Sequence, residues 1–270
     1  MHKLSIGKAW DDCKERVARD GKPLFWMIAA LVGLPSLIMM LIWPEQAGTE
    51  AESITTGQGA FGLAMLVLAS IATLSVAAIA LLDRLSIGEA VRRAVRVFPN
   101  VLGAALLLIV PFLGALVAAL IIGGNARLFR QPFEPKLIEQ LSLTSTLLIV
   151  LTLFVFTYLA IRMMLSTQVA IAEGKGPVGL LRRSWELTAG HFLRLLAFAL
   201  LVGIAQSVAE IAASTIFGLA GKFLFGPIEP FSLSALLVGI VVSTITVAFV
   251  MITGLMSASI YGQLARTGDA

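Results

Sequence analysis

Long apolar runs separated by short polar segments dominate this sequence. Six of the runs are long enough to cross about 30 Å of hydrocarbon as helices. A kink is expected at Gly33 and Pro35 in the first run. The helix formed by the fourth run is expected to continue past Arg162 to Glu173. The pattern predicts an all-α polytopic membrane protein with six transmembrane helices. The six runs cover residues 24–43, 60–82, 101–122, 141–162, 192–217 and 233–257.

Three of the polar segments have apolar residues at helical spacing on one face only. They cover residues 1–22, 85–98 and 177–189, and each precedes the first span of a pair. Gly174 and Pro177 separate the third segment from the span before it, and Gly190 ends it. The sequence therefore predicts three amphipathic helices on the membrane surface.

Lys and Arg fall mainly on one side of the predicted membrane. The segments that share a side with the termini hold 16 of them, and the three opposite loops hold 4. The positive-inside rule then places both termini in the cytoplasm. The formal net charge of +4 is explained by this topology, so nucleic acid is not an expected partner. The basic helices either signal topology only or also attract anionic lipids.

The order of surface helix, span, outer loop and span occurs three times. Residues 4–10, LSIGKAW, nearly repeat at 85–91, LSIGEAV. The interpretation is a single transmembrane domain over residues 1–270, built from three parallel hairpin units. Chance similarity within apolar sequence is the alternative. The units would cover residues 1–84, 85–175 and 176–270.

Composition narrows the function classes. With 58% hydrophobic and 13% charged residues, the chain is too apolar for a soluble domain, and its single cysteine excludes an internal disulfide. The sequence has no HExxH, Cys pair, His cluster, phosphate-binding loop or nucleophile elbow. We therefore expect neither a cofactor nor soluble-type catalysis. No cleavable signal peptide is expected, because the first apolar run lacks a small-x-small cleavage pattern.

Two stretches and one arginine resemble a known family. Residues 173–177 (EGKGP) and 181–192 (LRRSWELTAGHF), the ending 259–266 (SIYGQLAR) and Arg162 are similar to the signature of the glycerophosphoryl diester phosphodiesterase membrane-domain family. Members often have a proline where this chain has 166–168 (STQ), so no break is expected there. The resemblance implies a six-span bacterial inner-membrane domain concerned with lipids or the envelope. It does not imply phosphodiesterase activity, since no soluble catalytic domain is recognisable.

Glu210 is the strongest single candidate for chemistry. It lies about 18 residues into the fifth span, with Gln206 and Ser214 on the same helical face. A carboxylate in hydrocarbon costs at least about 2.5 kcal/mol, so it should face a partner, a cavity or a lipid headgroup, or be protonated. The alternative is an interfacial or packing role, because the outer interface is expected nearby.

The remaining candidates flank the central polar stretch. Arg162 and Glu173 share a helical face but lie about 16 Å apart along a straight helix, too far to pair. Arg162 is expected either to extend to the cytoplasmic interface or to bind a lipid phosphate. Glu173 is expected to pair with Arg182 or Arg183 or to cap a helix, and Arg182 lies within reach of Glu186. The candidate contacts for a lipid or substrate are Arg162, Glu173, Arg182, Arg183, Trp185 and Glu210.

These observations favour a non-enzymatic integral protein of the bacterial inner membrane, acting in lipid or envelope homeostasis. Its expected partners are membrane lipids, with a membrane protein or a second copy of the chain as further options. The alternative hypothesis is a transporter or flippase-like carrier of a lipid-related or small-molecule substrate. An intramembrane enzyme is the third option, although no pair of catalytic groups is visible.

Overall fold

The computed structural model describes residues 4–44, 56–82, 85–125 and 141–268, and these ranges contain helices and turns but no strand. The all-α fold predicted from the sequence is confirmed. Parts of the predicted outer loops, at 45–55 and 126–140, lie outside the described residues, as do 83–84 at the end of the second span. The helices are α1 (Ile6–Ile28), a π-helical stretch (Ala29–Gly33), α2 (Leu34–Ile42), α3 (Thr56–Leu81), α4 (Ile87–Ile122), α5 (Leu143–Arg162), α6 (Ser166–Glu173), α7 (Pro177–Thr188), α8 (Phe192–Phe225) and α9 (Leu233–Gly268).

Six helical segments within the described ranges are long and apolar enough to cross a membrane. They correspond to the six predicted spans, so the chain is a multi-pass integral membrane protein. The three hairpin units stay a prediction. The segments are Ile6–Ile42, Gly57–Leu81, Ile87–Ile122, Leu143–Glu173, Phe192–Phe225 and Leu233–Arg266.

Two of the three predicted surface helices are not separate elements. From Ile6 and from Ile87, α1 and α4 run without interruption into the following spans, with Pro23 and Pro99 in their interiors. A proline inside a helix costs about 3 kcal/mol. Packing of the flanking apolar residues, such as the fully buried Leu24, offsets this cost. Both segments are helical, as predicted, and each is continuous with the span that follows it.

The third amphipathic helix is separate, as predicted. α6 ends at Gly174, whose φ of +62° requires the left-handed conformation that glycine adopts without strain. Pro177 occupies the first turn of α7, where its missing N–H is not needed. Gly190, with φ of +77°, then separates α7 from α8.

The fourth span does not continue as one helix to Glu173. α5 ends at Arg162, and a turn over 163–165 precedes α6. The amide of Ser166, which would bond to the Arg162 carbonyl in a continuous helix, instead donates to the carbonyl of Met163 at 3.0 Å. The prediction of one continuous helix was wrong. The groups that bond to the Arg162 carbonyl instead come from another part of the chain, and the local sequence does not indicate them.

The first span contains the irregularity expected at Gly33 and Pro35. The chain widens into a π-helical turn over Ala29–Gly33 directly before Pro35. A π-helical turn provides room where a proline ring would clash with the carbonyl four residues earlier.

α9 is the central helix, packing against α8, α1, α2 and α3. Small residues permit its close contacts: a Cβ on Gly254 would lie 2.7 Å from Cγ1 of Val76, and one on Gly239 would lie 2.7 Å from Cδ1 of Leu37. Close approach through small residues is typical of helices in membranes. α5 lies at the periphery, with only Ser145 and Ile161 buried.

Candidate functional site

Glu173 is the centre of a polar cluster that joins three helices. Its Oε1 accepts hydrogen bonds from Nε of Arg183 at 3.0 Å and from the Tyr261 hydroxyl at 3.1 Å. Its Oε2 lies 2.6 Å from Nζ of Lys175. We call Glu173, Lys175, Arg183 and Tyr261 the Glu173 cluster. It ties the end of α6 to α7 and α9.

The geometry decides between the partners predicted for Glu173. The carboxylate pairs with Arg183, whereas Arg182 pairs with Glu186 through Nε and Oε1 at 3.1 Å. The Glu173 and Arg183 side chains are 20% and 23% exposed, while that of Arg182 is 81% exposed. The Glu173 pair is therefore the more shielded one, and it contributes more to stability than an exposed pair.

Two hydroxyl groups on α7 form hydrogen bonds with the backbone carbonyl that is left free where α5 ends. Ser184 donates from Oγ to the Arg162 carbonyl at 2.8 Å, and Thr188 shares its single hydroxyl hydrogen between this carbonyl at 3.2 Å and the Ser184 carbonyl at 2.8 Å. Both hydroxyl residues are fully buried. Since a buried carbonyl without a donor is costly, these bonds replace the helical bond that α5 gives up. They also fix α7 against the end of α5.

The side chain of Arg162 lies among aromatic rings, in a group that we call the Arg162 platform. Its Cζ lies 4.7 Å from the centroid of the Trp185 ring, within cation–π distance. Its Nε and Nη2 both lie 3.1 Å from the hydroxyl oxygen of Tyr158, which accepts from them. Tyr158 in turn contacts Trp185 and Phe192, with ring centroids 5.8 and 4.9 Å away. The platform comprises Arg162, Tyr158, Trp185 and Phe192.

The charge of Arg162 has no carboxylate partner among the described residues. Its Nη1 is buried and forms no hydrogen bond there, and its other nitrogens donate to a neutral phenol. Two carboxylates belong to the same part of the chain, but both have other partners. Glu186, next to Trp185, pairs with Arg182, and Glu173, at the end of α6, pairs with Arg183. A cation held in this way can bind an anion without breaking an internal ion pair.

Glu210 forms a separate polar contact between α8 and α9. Its Oε1 accepts from Nε2 of Gln206 and from Oγ1 of Thr246, each at 3.0 Å. Ser214, expected on the same face, bonds instead to the carbonyl of Ile211 in its own helix. Glu210 lies 18 residues after the start and 15 before the end of α8, about 27 and 22 Å along it, because α8 extends to Phe225. It is therefore near the middle of α8 rather than near its outer end.

The candidate residues do not form one site. Four of them lie in or beside α7: Arg162, Glu173, Arg183 and Trp185. Arg182 points outward, and Glu210 lies between α8 and α9. Within the described ranges, no three His, Cys, Asp or Glu side chains are arranged so that they could hold a metal ion.

Sequence reasoning missed the residues that complete each site. Tyr158 precedes Arg162 by four positions, a helical spacing that could have indicated their contact. Ser184, Thr188 and Tyr261 belong to the stretches that carry the family resemblance, but their sequence positions do not indicate their bonding partners. Thr246 is one of several hydroxyl residues in an apolar span, and no local pattern distinguishes it.

Comparisons with known proteins found one family. A family model described as a domain of unknown function, DUF7847, matches residues 23–264. This range contains all six spans predicted from the sequence, but not the amphipathic start of α1. Searches of curated proteins and of solved structures found no match to the chain.

Proposed function

Since this chain belongs to the DUF7847 family, whose function is not defined, we propose its role from its own geometry. It is a non-enzymatic integral protein of the bacterial inner membrane that binds anionic phospholipid through the Arg162 platform. The single observation that carries the proposal is the uncompensated guanidinium of Arg162, held between Trp185 and Tyr158 at the end of a membrane-spanning helix.

The chemistry of the platform suits a phosphate group. Arginine binds phosphate oxygens through paired N–H donors, and each charge-assisted hydrogen bond is worth about 1.5–3 kcal/mol. At Arg162 this pair is Nε and Nη2, which a phosphate would take over from the neutral Tyr158 hydroxyl. The aromatic rings hold the guanidinium plane in place, so little side-chain entropy remains to be lost on binding. Ordered Tyr and Trp side chains are also typical of the headgroup region of a membrane.

The surroundings of the platform favour a lipid as the source of that phosphate. α5 leads away from Arg162 with exposed apolar side chains, including Leu151 and Phe154, and α8 begins beside the platform with the exposed Leu193. Acyl chains of a lipid whose phosphate lies at Arg162 would run along these surfaces.

Two sequence observations support the wider role in lipid or envelope homeostasis. The stretches that resemble the glycerophosphoryl diester phosphodiesterase membrane-domain family supply Trp185 of the platform and Glu173, Arg183 and Tyr261 of the adjoining cluster. The distribution of Lys and Arg supports a cytoplasmic position for this end of the protein and for both termini.

The test is lipid retention measured by native mass spectrometry. Wild-type protein in nanodiscs of equal phosphatidylglycerol and phosphatidylcholine is transferred to a neutral detergent, and the bound lipids are identified. We expect preferential retention of phosphatidylglycerol, reduced about tenfold or more in Arg162→Gln. Arg182→Gln removes the same charge from an exposed position and should retain most of the bound lipid. Equal retention by wild type and Arg162→Gln would contradict the proposal.

A second candidate function, a transporter or flippase-like carrier, rests on Glu210. This carboxyl group lies near the middle of α8, and among the described residues its bonding partners are an amide and a hydroxyl rather than a cation. Ionisable groups inside membrane spans commonly mark substrate or proton pathways. The test is transbilayer movement of fluorescently labelled phosphatidylglycerol in reconstituted vesicles. Full activity of Glu210→Gln would remove this residue from the mechanism.

A further inference from the structure

A second basic region lies apart from the Arg162 platform, where the two ends of the described chain meet. A cleft of about 800 Å³ opens between the first turns of α1, the end of α3 and the last turns of α9. Its volume is within the range of pockets that hold small organic molecules, about 300–1,000 Å³. Its wall is formed by polar side chains of α1 and α9, with Ala80 and Leu81 from α3.

The cleft is lined by one face of α1. Lys8, Asp12, Arg16 and Arg19 recur at helical spacing and all line it, together with Glu15. α9 contributes Ser259, Tyr261, Gln263 and Arg266 from the opposite side. Polar faces of α1 and α9 therefore lie on opposite sides of the cleft.

Positive charge exceeds negative charge in this cleft. Four cationic side chains, Lys8, Arg16, Arg19 and Arg266, face two carboxylates, Asp12 and Glu15.

Most of these charges have no partner among the residues that the structure describes. Asp12 accepts a hydrogen bond of 2.6 Å from Oγ of Ser259, and Arg19 pairs with Asp20. The side chains of Lys8, Arg16 and Arg266 form no hydrogen bond or ion pair with any residue that the structure describes. Like charges gathered in a concave site repel one another and attract an anion.

The walls of the cleft are fixed before any ligand binds. The backbone N–H of Ser5 donates to Oε1 of Gln263 at 3.0 Å, and Nε2 of Gln263 donates back to the Ser5 carbonyl at 3.2 Å. Arg194 from α8 donates to the Leu4 carbonyl at 2.9 Å. These bonds hold the start of α1 against α9, so the two helices that carry the cations are already in place when a ligand binds.

We propose that the cleft between α1 and α9 binds a small molecule with a phosphate or diphosphate group, through Lys8, Arg16 and Arg266. The phosphate belongs either to a soluble metabolite or to a lipid headgroup, since both present the same oxygen atoms to the cations. Arginine on each wall provides paired donors, and Lys8 provides a third positive charge.

The experiment measures binding by isothermal titration calorimetry with the full chain in neutral detergent. One probe is inorganic pyrophosphate, and the other is dihexanoyl phosphatidic acid, a short-chain lipid. The test variant combines Arg16→Gln with Arg266→Gln. The matched control combines Lys14→Gln with Lys22→Gln, which removes two charges from α1 outside the cleft. Thermal unfolding checks that each variant is folded. If the Arg16→Gln, Arg266→Gln variant does not fold, Lys8→Gln takes its place as the test variant.

We expect at least one probe to bind, with affinity reduced about tenfold or more in the test variant and by less than about twofold in the control. Binding of pyrophosphate identifies a soluble phosphate as sufficient, whereas binding of the lipid alone identifies a headgroup. The proposal is overturned if neither probe binds, or if the test variant binds as wild type does or no worse than the control. All titrations use protein that carries Arg162→Gln, so that binding at the Arg162 platform does not contribute and the two proposals fail independently.

Discussion

Ser184 donates a hydrogen bond of 2.8 Å to the backbone carbonyl of Arg162, across the boundary between α7 and α5. This contact couples the end of a membrane-spanning helix to an amphipathic one, and Thr188 adds a second bond to the same carbonyl. It places Trp185, the next residue on α7, against the Arg162 guanidinium. The break in the fourth span and the aromatic platform therefore have a common cause.

Removing both hydroxyl donors should destabilise the protein more than removing either one. In Ser184→Ala the carbonyl can still accept from Thr188, whose hydroxyl lies 3.2 Å from it and 2.8 Å from the Ser184 carbonyl, whereas Ser184→Ala with Thr188→Val removes both donors. We expect the double variant to lose about 1–3 kcal/mol of unfolding free energy. Chemical unfolding in detergent measures this loss. Ser214→Ala is the control, because that hydroxyl bonds only to its own helix. Unchanged stability of the double variant would refute the capping role.

Neutralising Glu173 should weaken the junction of α6, α7 and α9. Glu173→Gln loses its ionic contacts to Lys175 and Arg183, which lie 2.6 and 3.0 Å away. We expect a loss of about 1–3 kcal/mol in unfolding free energy. Asp11→Asn is the matched control, and it should cost about 0.5 kcal/mol or less because Asp11 and its partner Lys14 are both highly exposed. Equal effects of the two substitutions would show that the Glu173 cluster contributes no more than a surface pair.

Two glycines of α4 should respond oppositely to alanine. A Cβ on Gly103 would lie 2.8 Å from Cγ of Pro177 at the start of α7, whereas a Cβ on Gly114 meets nothing within 4 Å. Gly103→Ala is expected to cost about 1–3 kcal/mol through overpacking. Gly114→Ala is expected to be neutral or stabilising by up to about 1 kcal/mol, since alanine favours the helix. Thermal unfolding of both variants checks this, and a stabilised Gly103→Ala would contradict the close contact.

The polar contact between α8 and α9 should depend on the hydroxyl of Thr246 more than on the charge of Glu210. Thr246→Val removes a hydrogen bond of 3.0 Å and should cost about 0.5–1.5 kcal/mol. Glu210→Gln keeps an acceptor for both neighbours and should leave stability within about 0.5 kcal/mol of wild type. Unfolding in detergent measures both. A larger loss in Glu210→Gln than in Thr246→Val would show that the charge itself holds the helices together.

The positions of the spans and of the third amphipathic helix could be predicted from the sequence because their signals are local. Six apolar runs indicate six spanning helices by length alone, and Gly174, Pro177 and Gly190 indicate the limits of α7 through their own backbone preferences. The predicted pairing of Arg182 with Glu186 is confirmed for the same reason, since four residues is one helical turn.

The same local reasoning failed where a distant segment decides the outcome. α1 and α4 pass through Pro23 and Pro99 because surrounding helices pack against them. α5 stops at Arg162 because hydroxyl groups more than 20 residues later take over its carbonyl.

The sequence by itself determined that this protein is a six-span all-α membrane protein, because hydrophobic length and helical periodicity are properties of each segment alone. Only the tertiary structure decided that Glu173 pairs with Arg183 and Tyr261, and that Arg162 lies against Trp185. It also decided that the basic face of α1 opposes Arg266 across a cleft. These relationships depend on how separate helices pack, and residue spacing along one helix carries no information about that.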